Sequence, residues 1–176
     1  MSDVAAAAGV GRATVYRYFP SRDVLLGELA DLALTTAGDR LVAAGLANVP
    51  VEEGLTRGVR VLLGVGDYFV VLARERVRPD AAQLEQRLLA PLRALIGRGQ
   101  GTGVIRTDVP VSWLTDSLLS LVVTVLLARP QLGDEDAVAV ITSLFLDGSR
   151  ARRERTADEA ASQGELQSTP EGKSQS

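Results

Sequence analysis

The side chains able to do acid–base, nucleophilic or metal chemistry form a narrow set here, because the 176 residues include no cysteine and no histidine. That excludes disulfides, thiolate and imidazole catalysis and Cys/His zinc sites. Carboxylates, hydroxyls, arginines and one lysine, Lys173, remain. The glycine-rich run at 97–103 (GRGQGTG) lacks the GxGxxG spacing of a dinucleotide-binding turn. No lysine closes a phosphate-binding loop, and Ser149 stands in no GxSxG elbow. Glu52–Glu53 and Asp134–Glu135–Asp136 fall at expected helix starts, where acids complement the dipole. No catalytic residue, metal site or cofactor is therefore expected. The chemistry left is recognition of anions by arginine, and it is concentrated: Arg12, Arg17 and Arg22 occur with no acid between positions 12 and 22.

The chain as a whole is not basic. With 22 acidic against 19 basic residues, its net charge is −3. Bulk attraction to nucleic acid is thereby excluded, but one small basic reading head is not. Five acids against two bases from Glu154 onward account for the whole excess, so residues 1–153 are neutral.

The elements that must position these arginines read as helices. Apolar residues recur at helical spacing in five places: Leu25, Leu29, Leu32 and Ala33; Leu55, Val59, Leu62 and Leu63; Leu84, Leu88, Leu92 and Leu95; Leu114, Leu118, Leu121 and Val125; Val138, Ile141 and Phe145. Strand and hairpin signals are nearly absent, so the fold class is all-α. Ser2, Ser21 and Asp134 stand where N-caps are expected, and Pro79 fits a first helical turn. Residues 97–103 are expected to end one helix, and Pro91 to kink another near Arg87. The most apolar stretch, 118–128 (LLSLVVTVLLA), is short of the roughly 20 residues that span a bilayer, and reads as a buried helix. No signal peptide is visible at the N-terminus, so a cytoplasmic protein without a membrane partner is expected. Three regions result: 1–44, the arginine-bearing N-terminal helices with a connecting helix; 45–153, a helical bundle; and 154–176, an acidic tail too poor in aliphatic residues to order itself.

Within the first region, a short helix at 3–8 stops at Gly9, a second runs from about Arg12 to Tyr18, and a third starts after Ser21. Two short helices joined by a glycine-containing turn make a helix-turn-helix. Val4, Ala8, Val10, Val15, Phe19, Leu25 and Leu29 are its expected core. Arg12, Ala13, Thr14, Tyr16 and Arg17 then face outward on the helix that would enter a major groove.

The segment AAAAGVGRATVYRYFPSRDVLL resembles the DNA-binding region of the TetR family of bacterial transcriptional regulators, through the run AGV-x-x-x-T-x-Y-x-YF-x-S-[KR]. Further on, GQGTGVIRTDVPVSWL resembles the family's link into its eighth helix, and TSLFLDGSR the end of its ninth. The resemblance implies a ligand-responsive regulator, a repressor binding a palindromic operator in double-stranded DNA as a homodimer. It implies base or backbone contacts for Arg12, Ala13 and Thr14, and phosphate contacts for Tyr16, Tyr18 and Arg22. A packing role is the alternative for both tyrosines, more so for Tyr18.

Two departures stand out. Gly11 replaces the serine or threonine that usually caps the recognition helix, which weakens that start by a few tenths of a kcal/mol. The family's first helix has no counterpart before Met1, so the chain as written is expected to be shorter than the functional protein and to bind DNA poorly. The alternative reading is a truncated, DNA-incompetent ligand-binding and dimerisation module. A helical enzyme is the remote third.

For the bundle, helices at 52–77, 79–98 and 111–128 are expected to enclose an apolar cavity for a small apolar effector. Tyr68, Phe69, Leu72, Leu88, Leu92, Trp113 and Ser117 are the candidate lining, each also explicable as core. The helices at 111–128 and 134–148 are apolar over more than one face, which suits a four-helix interface between two subunits carried by Leu118, Val122, Val125, Ile141 and Phe145.

Overall fold

The computed structural model describes residues 1–128 and 133–151, and the tail expected to be disordered lies outside them. Helix α1 (Ser2–Ala7) begins with Met1 rather than Ser2 at the N-cap, and Ser2 is already helical. It ends at Ala8, and Gly9 takes φ +66°, a left-handed value natural to a residue without Cβ. The Val10 N–H donates to Ala5 O and the Gly9 N–H to Ala6 O, a Schellman closure that sets the turn. Helix α2 (Arg12–Tyr18) follows from Gly11, and α3 (Arg22–Ala43) starts at Ser21, whose Oγ accepts from the Val24 N–H at 3.2 Å.

The long α3 joins this head to the body. Its buried stripe is Leu26, Ala30, Ala33, Leu34, Ala37, Gly38 and Leu41; of the expected residues Ala33 is fully buried, Leu25 and Leu29 are half-buried, and Leu32 is exposed. The reason is size. Small residues let the body lie close: a Cβ on Gly38 would stand 3.1 Å from Arg87 Cβ, so the tallest aliphatics do not mark the contact face.

After a 3₁₀ turn at Leu46–Asn48, the expected single helix at 52–77 is two: α4 (Val51–Gly64) and α5 (Gly66–Arg74). They part at Val65, between two glycines, the residues that favour a helix least after proline. Gly66 then abuts Leu126 with no room for a side chain. Helix α5 stops before Val77 because Arg76 adopts φ +56°, while the Val77 N–H closes on Leu72 O.

Pro79 lies outside the next helix, α6 (Ala81–Leu84), which Asp80 caps through a 2.8 Å bond from the Gln83 N–H. A π-helical stretch at Glu85–Leu89 leads into α7 (Ala90–Gly101), whose first turn holds Pro91. The wider turn falls around Arg87, where the missing N–H and the bulk of the ring are expected to disturb the ladder. The run at 97–103 ends α7 as expected, although beyond Arg98. The helix continues through Gly99 and closes at Thr102, with Gly103 at φ +72°.

Helix α8 is Val111–Ala128 and α9 is Asp134–Ser149, capped by Gly133 rather than Asp134. The core gathers α4 (Leu55, Val59, Leu62), α7 (Leu92, Leu95, Ile96), α8 (Leu114, Leu118, Val122) and α9 (Val138, Ile141, Phe145). Arg60 donates from Nε and Nη2 to the two carboxylate oxygens of Glu135, both at 2.7 Å, fastening α4 to α9. That pairing holds the Glu135 carboxyl below its ordinary range.

The glycines of α7 are therefore unequal. A Cβ at Gly99 would sit 2.6 Å from Cδ1 of the fully buried Ile105, whereas one at Gly97 meets only Val111 Cγ2 at 4.0 Å. Gly99→Val is expected to cost about 1–3 kcal/mol through overpacking. Gly97→Ala is expected to gain about 0.5–1 kcal/mol from helix propensity. Urea midpoints of the two variants check this, and equal shifts would refute it.

Candidate nucleic-acid interface

Arg12 opens α2 from an N-cap that supplies no side-chain bond, since Gly11 has none to give. Val15, 6% exposed, is the one buried residue of α2, as Ala5 is of α1, and Leu26 is the first buried residue of α3. The expected head core is corrected on that point. Val4, Ala8 and Val10 are exposed, Phe19, Leu25 and Leu29 are half-buried, and Ala5 takes the inward position on α1. With one inward anchor, α2 turns almost all its other side chains out: Arg12, Ala13, Tyr16, Arg17 and Tyr18 are exposed and Thr14 is half-buried.

Tyr18 is 66% exposed against 43% for Tyr16, so the residue thought nearer the core is the more open. The Arg17 guanidinium carbon lies 5.1 Å from the centroid of the Tyr18 ring, a cation–π contact that keeps the charge beside the phenol. Cationic groups, a hydroxyl, a methyl-bearing threonine and two phenols thus share one short helix. That set can read base edges and grip phosphates.

Arg22, on the first turn of α3, is placed differently. Its Nη2 lies 2.6 Å from Glu75 Oε2, at the end of α5. Nothing in the sequence spacing signals a partner so distant as Glu75.

The candidate effector residues do not line one cavity. Leu88 and Leu92 are core side chains, Leu72 packs on Ala30 and Ala33 of α3, and Tyr68 and Phe69 are half-buried between these two clusters. Trp113 and Ser117 lie on the outer side of α8, in an open groove with Asp116, Ser120, Leu121 and Thr124. Between α5 and α8 there is a gap of about 50 Å³, lined by Phe69, Val70, Ala73, Val123, Leu126 and Leu127. A groove of about 520 Å³ runs on the far end of the body between Leu41–Asn48 and Pro91–Arg98.

The dimer candidates need a similar correction. Leu118, Val122, Ile141 and Phe145 are buried inside this chain, and Val125 is half-buried. What α8 and α9 present outward is Trp113, Val123 and Leu127, with Val140 and Leu144. The expectation that the stretch at 118–128 is buried holds for one side of it only. Val111–Ala128 is long and apolar enough to cross a bilayer by length and composition, and within the bundle its Leu114–Leu118–Val122 side packs in the core.

Residues 1–29 match the family described as bacterial regulatory proteins, tetR family. Among characterised relatives, the HTH-type transcriptional regulator NfxB of Pseudomonas aeruginosa is 28% identical over 157 residues, 85% of this chain and 83% of that one. The HTH-type transcriptional repressor LfrR of Mycolicibacterium smegmatis is 41% identical over 66 residues, 38% of this chain and 35% of that one. Among solved structures, the TetR-family regulator PfmR from Thermus thermophilus shares the fold at TM-score 0.68 and 24% identity, over 86% of this chain and 88% of that one. LfrR in complex with proflavine superposes at TM-score 0.64 with 26% identity, over 83% and 82% of the two chains. The protein is a DNA-binding transcriptional regulator of helix-turn-helix type. Its first 29 residues match the TetR family, and its fold is the one seen in TetR-family regulators.

Proposed function

We propose that the protein is a repressor that binds a palindromic operator as a homodimer and is released by a small apolar effector. The observation that carries this reading is the outward face of α2, where Arg12, Ala13, Tyr16 and Arg17 stand free of the head core. Residues 1–44 form the reading head and 45–153 the effector and dimer body. Arg12, Ala13 and Thr14 approach bases, while Tyr16, Arg17, Tyr18 and Arg22 grip phosphates. A regulator of bacterial genes works in the cytoplasm.

Dimerisation through α8 and α9 is supported by their outward side chains. Along α8, Trp113, Ser117, Ser120 and Thr124 recur at helical spacing. The hydroxyls of Ser117, Ser120 and Thr124 donate to the carbonyls of Trp113, Asp116 and Ser120, each at 2.8 Å. Their polarity is spent within the helix. Asp116 at its edge apart, the face is left low and largely apolar, fit for close helix packing.

For the effector, the seam between α5 and α8 is the supported place. It is apolar on both sides and closed to about 50 Å³ here, so a ligand has to part the two helices to enter. The proflavine complex of LfrR is a relative's precedent for a small-molecule ligand.

Selection of bound duplexes from a random-sequence pool tests the reading. Enrichment of a two-fold symmetric site is expected, with half-site centres about 34–36 Å apart or a multiple of that. Enrichment of sequences without dyad symmetry, or of none, would refute it.

A further inference from the structure

Arg22 is held by the body. It is the first residue of α3, while Glu75 caps the end of α5, 53 positions along the chain, and the two meet at 2.6 Å. Glu75 has cationic neighbours in Arg74, Arg76 and Arg78, yet the arginine it pairs with comes from the head. Its position is also fixed. Arg76 at φ +56° and the Val77 N–H bond to Leu72 O close the helix just behind it, and Leu72 and Val77 pack on Ala30 and Ala33 of α3. A carboxylate at a helix C-terminus faces the negative end of the dipole, so this placement is unfavourable without a cation such as Arg22.

We propose that Glu75 is an intramolecular competitor for the DNA backbone: it holds the Arg22 guanidinium against α5, and binding DNA draws Arg22 off Glu75 and onto a phosphate. This rests on the reading of Arg22 as a phosphate contact. A guanidinium engaged with a carboxylate cannot aim the same N–H groups at a phosphate oxygen. Glu75 is thus a positioning residue, which sets where Arg22 points without touching DNA. Linkage makes the coupling mutual. An α5 held in place lowers phosphate affinity, and a bound phosphate loosens the end of α5. Since α5 also forms one wall of the seam with α8 through Phe69, Val70 and Ala73, the same helix meets the effector along its side and DNA charge at its C-terminal end.

The test is a double-mutant cycle on the full chain, read by fluorescence anisotropy with a short labelled duplex of mixed sequence across a salt series. Glu75→Gln is expected to tighten binding about two- to fivefold, the range of an exposed ion pair. Arg22→Gln is expected to weaken binding and to reduce the slope of log K against log salt by about 0.9 for each subunit bound. In the Arg22→Gln background, Glu75→Gln is expected to change nothing. Unchanged or weaker binding by Glu75→Gln would overturn the proposal. So would a gain that persists without Arg22, since that would be general charge repulsion. If Arg22→Gln leaves both the affinity and the salt slope of the unsubstituted chain unchanged, the phosphate-contact reading falls and takes this proposal with it. A normal salt slope with no response at Glu75 removes the competition alone.

Discussion

Leu144→Asp and Val140→Asp are each expected to convert the protein from dimer to monomer at micromolar concentration while leaving its helices intact. Leu144 is 58% exposed and Val140 41% exposed in the single chain, so neither substitution opens the core. In a two-fold interface each is buried twice. At about 1.5–3 kcal/mol for a buried leucine or valine, the loss is about 3–6 kcal/mol for the dimer, before any cost of desolvating two carboxylates. That corresponds to a dissociation constant raised about a hundredfold to more than ten-thousandfold. Light scattering reads the mass, and far-UV circular dichroism reads the helices. The control is Phe145→Asp, which places a carboxylate in the chain's own core and is expected to unfold it instead. A monomeric parent protein, or a Leu144→Asp variant that remains dimeric, would refute this interface.

That contrast shows what the sequence conveyed about the body. Five apolar stripes identify helices correctly, because periodicity needs only contrast between faces. Which apolar face meets its own chain and which meets a partner is not contained in periodicity. Ile141 and Phe145 look as suited to an interface as Leu144, and only the position of α4 against α9 separates them. Helix ends were legible where the cap chemistry is local, as with Gly9 and Ser21. They were hidden where tertiary packing decides. Gly99 looks like a stop and is a notch for Ile105, and Arg76 occupies a left-handed position that composition assigns to glycine.

The site divides the same way. The outward set on α2 follows from helical spacing and one anchor, so Arg12, Ala13, Tyr16 and Arg17 could be named from the residues alone. The Arg22–Glu75 pair joins positions 53 apart and has no local signature. The effector lining failed to converge for a related reason. Large aliphatics at helical spacing are the usual filling of a core, and Leu88 and Leu92 are that filling.

Arg12→Ala is expected to abolish sequence discrimination while sparing most non-specific binding. Arg12 is exposed at the first position of α2, the end of a recognition helix that meets base edges, and no side-chain cap at Gly11 competes for its neighbourhood. An arginine placed bidentately on guanine is worth about 1–3 kcal/mol of discrimination. A dimer uses it at both half-sites, so the expected loss for the operator is about 2–6 kcal/mol. Non-specific binding depends on counterion release, and removing one cationic group per head lowers it far less. Arg17→Ala makes the useful comparison. Arg17 stands against the Tyr18 ring and is read as a phosphate contact, so its loss is expected to weaken specific and non-specific duplexes by similar factors. Titrating both variants against the selected operator and a scrambled duplex at one salt concentration separates the two roles. If Arg12→Ala lowered both affinities equally, Arg12 would be a backbone contact, and base reading would have to shift to Ala13 and Thr14.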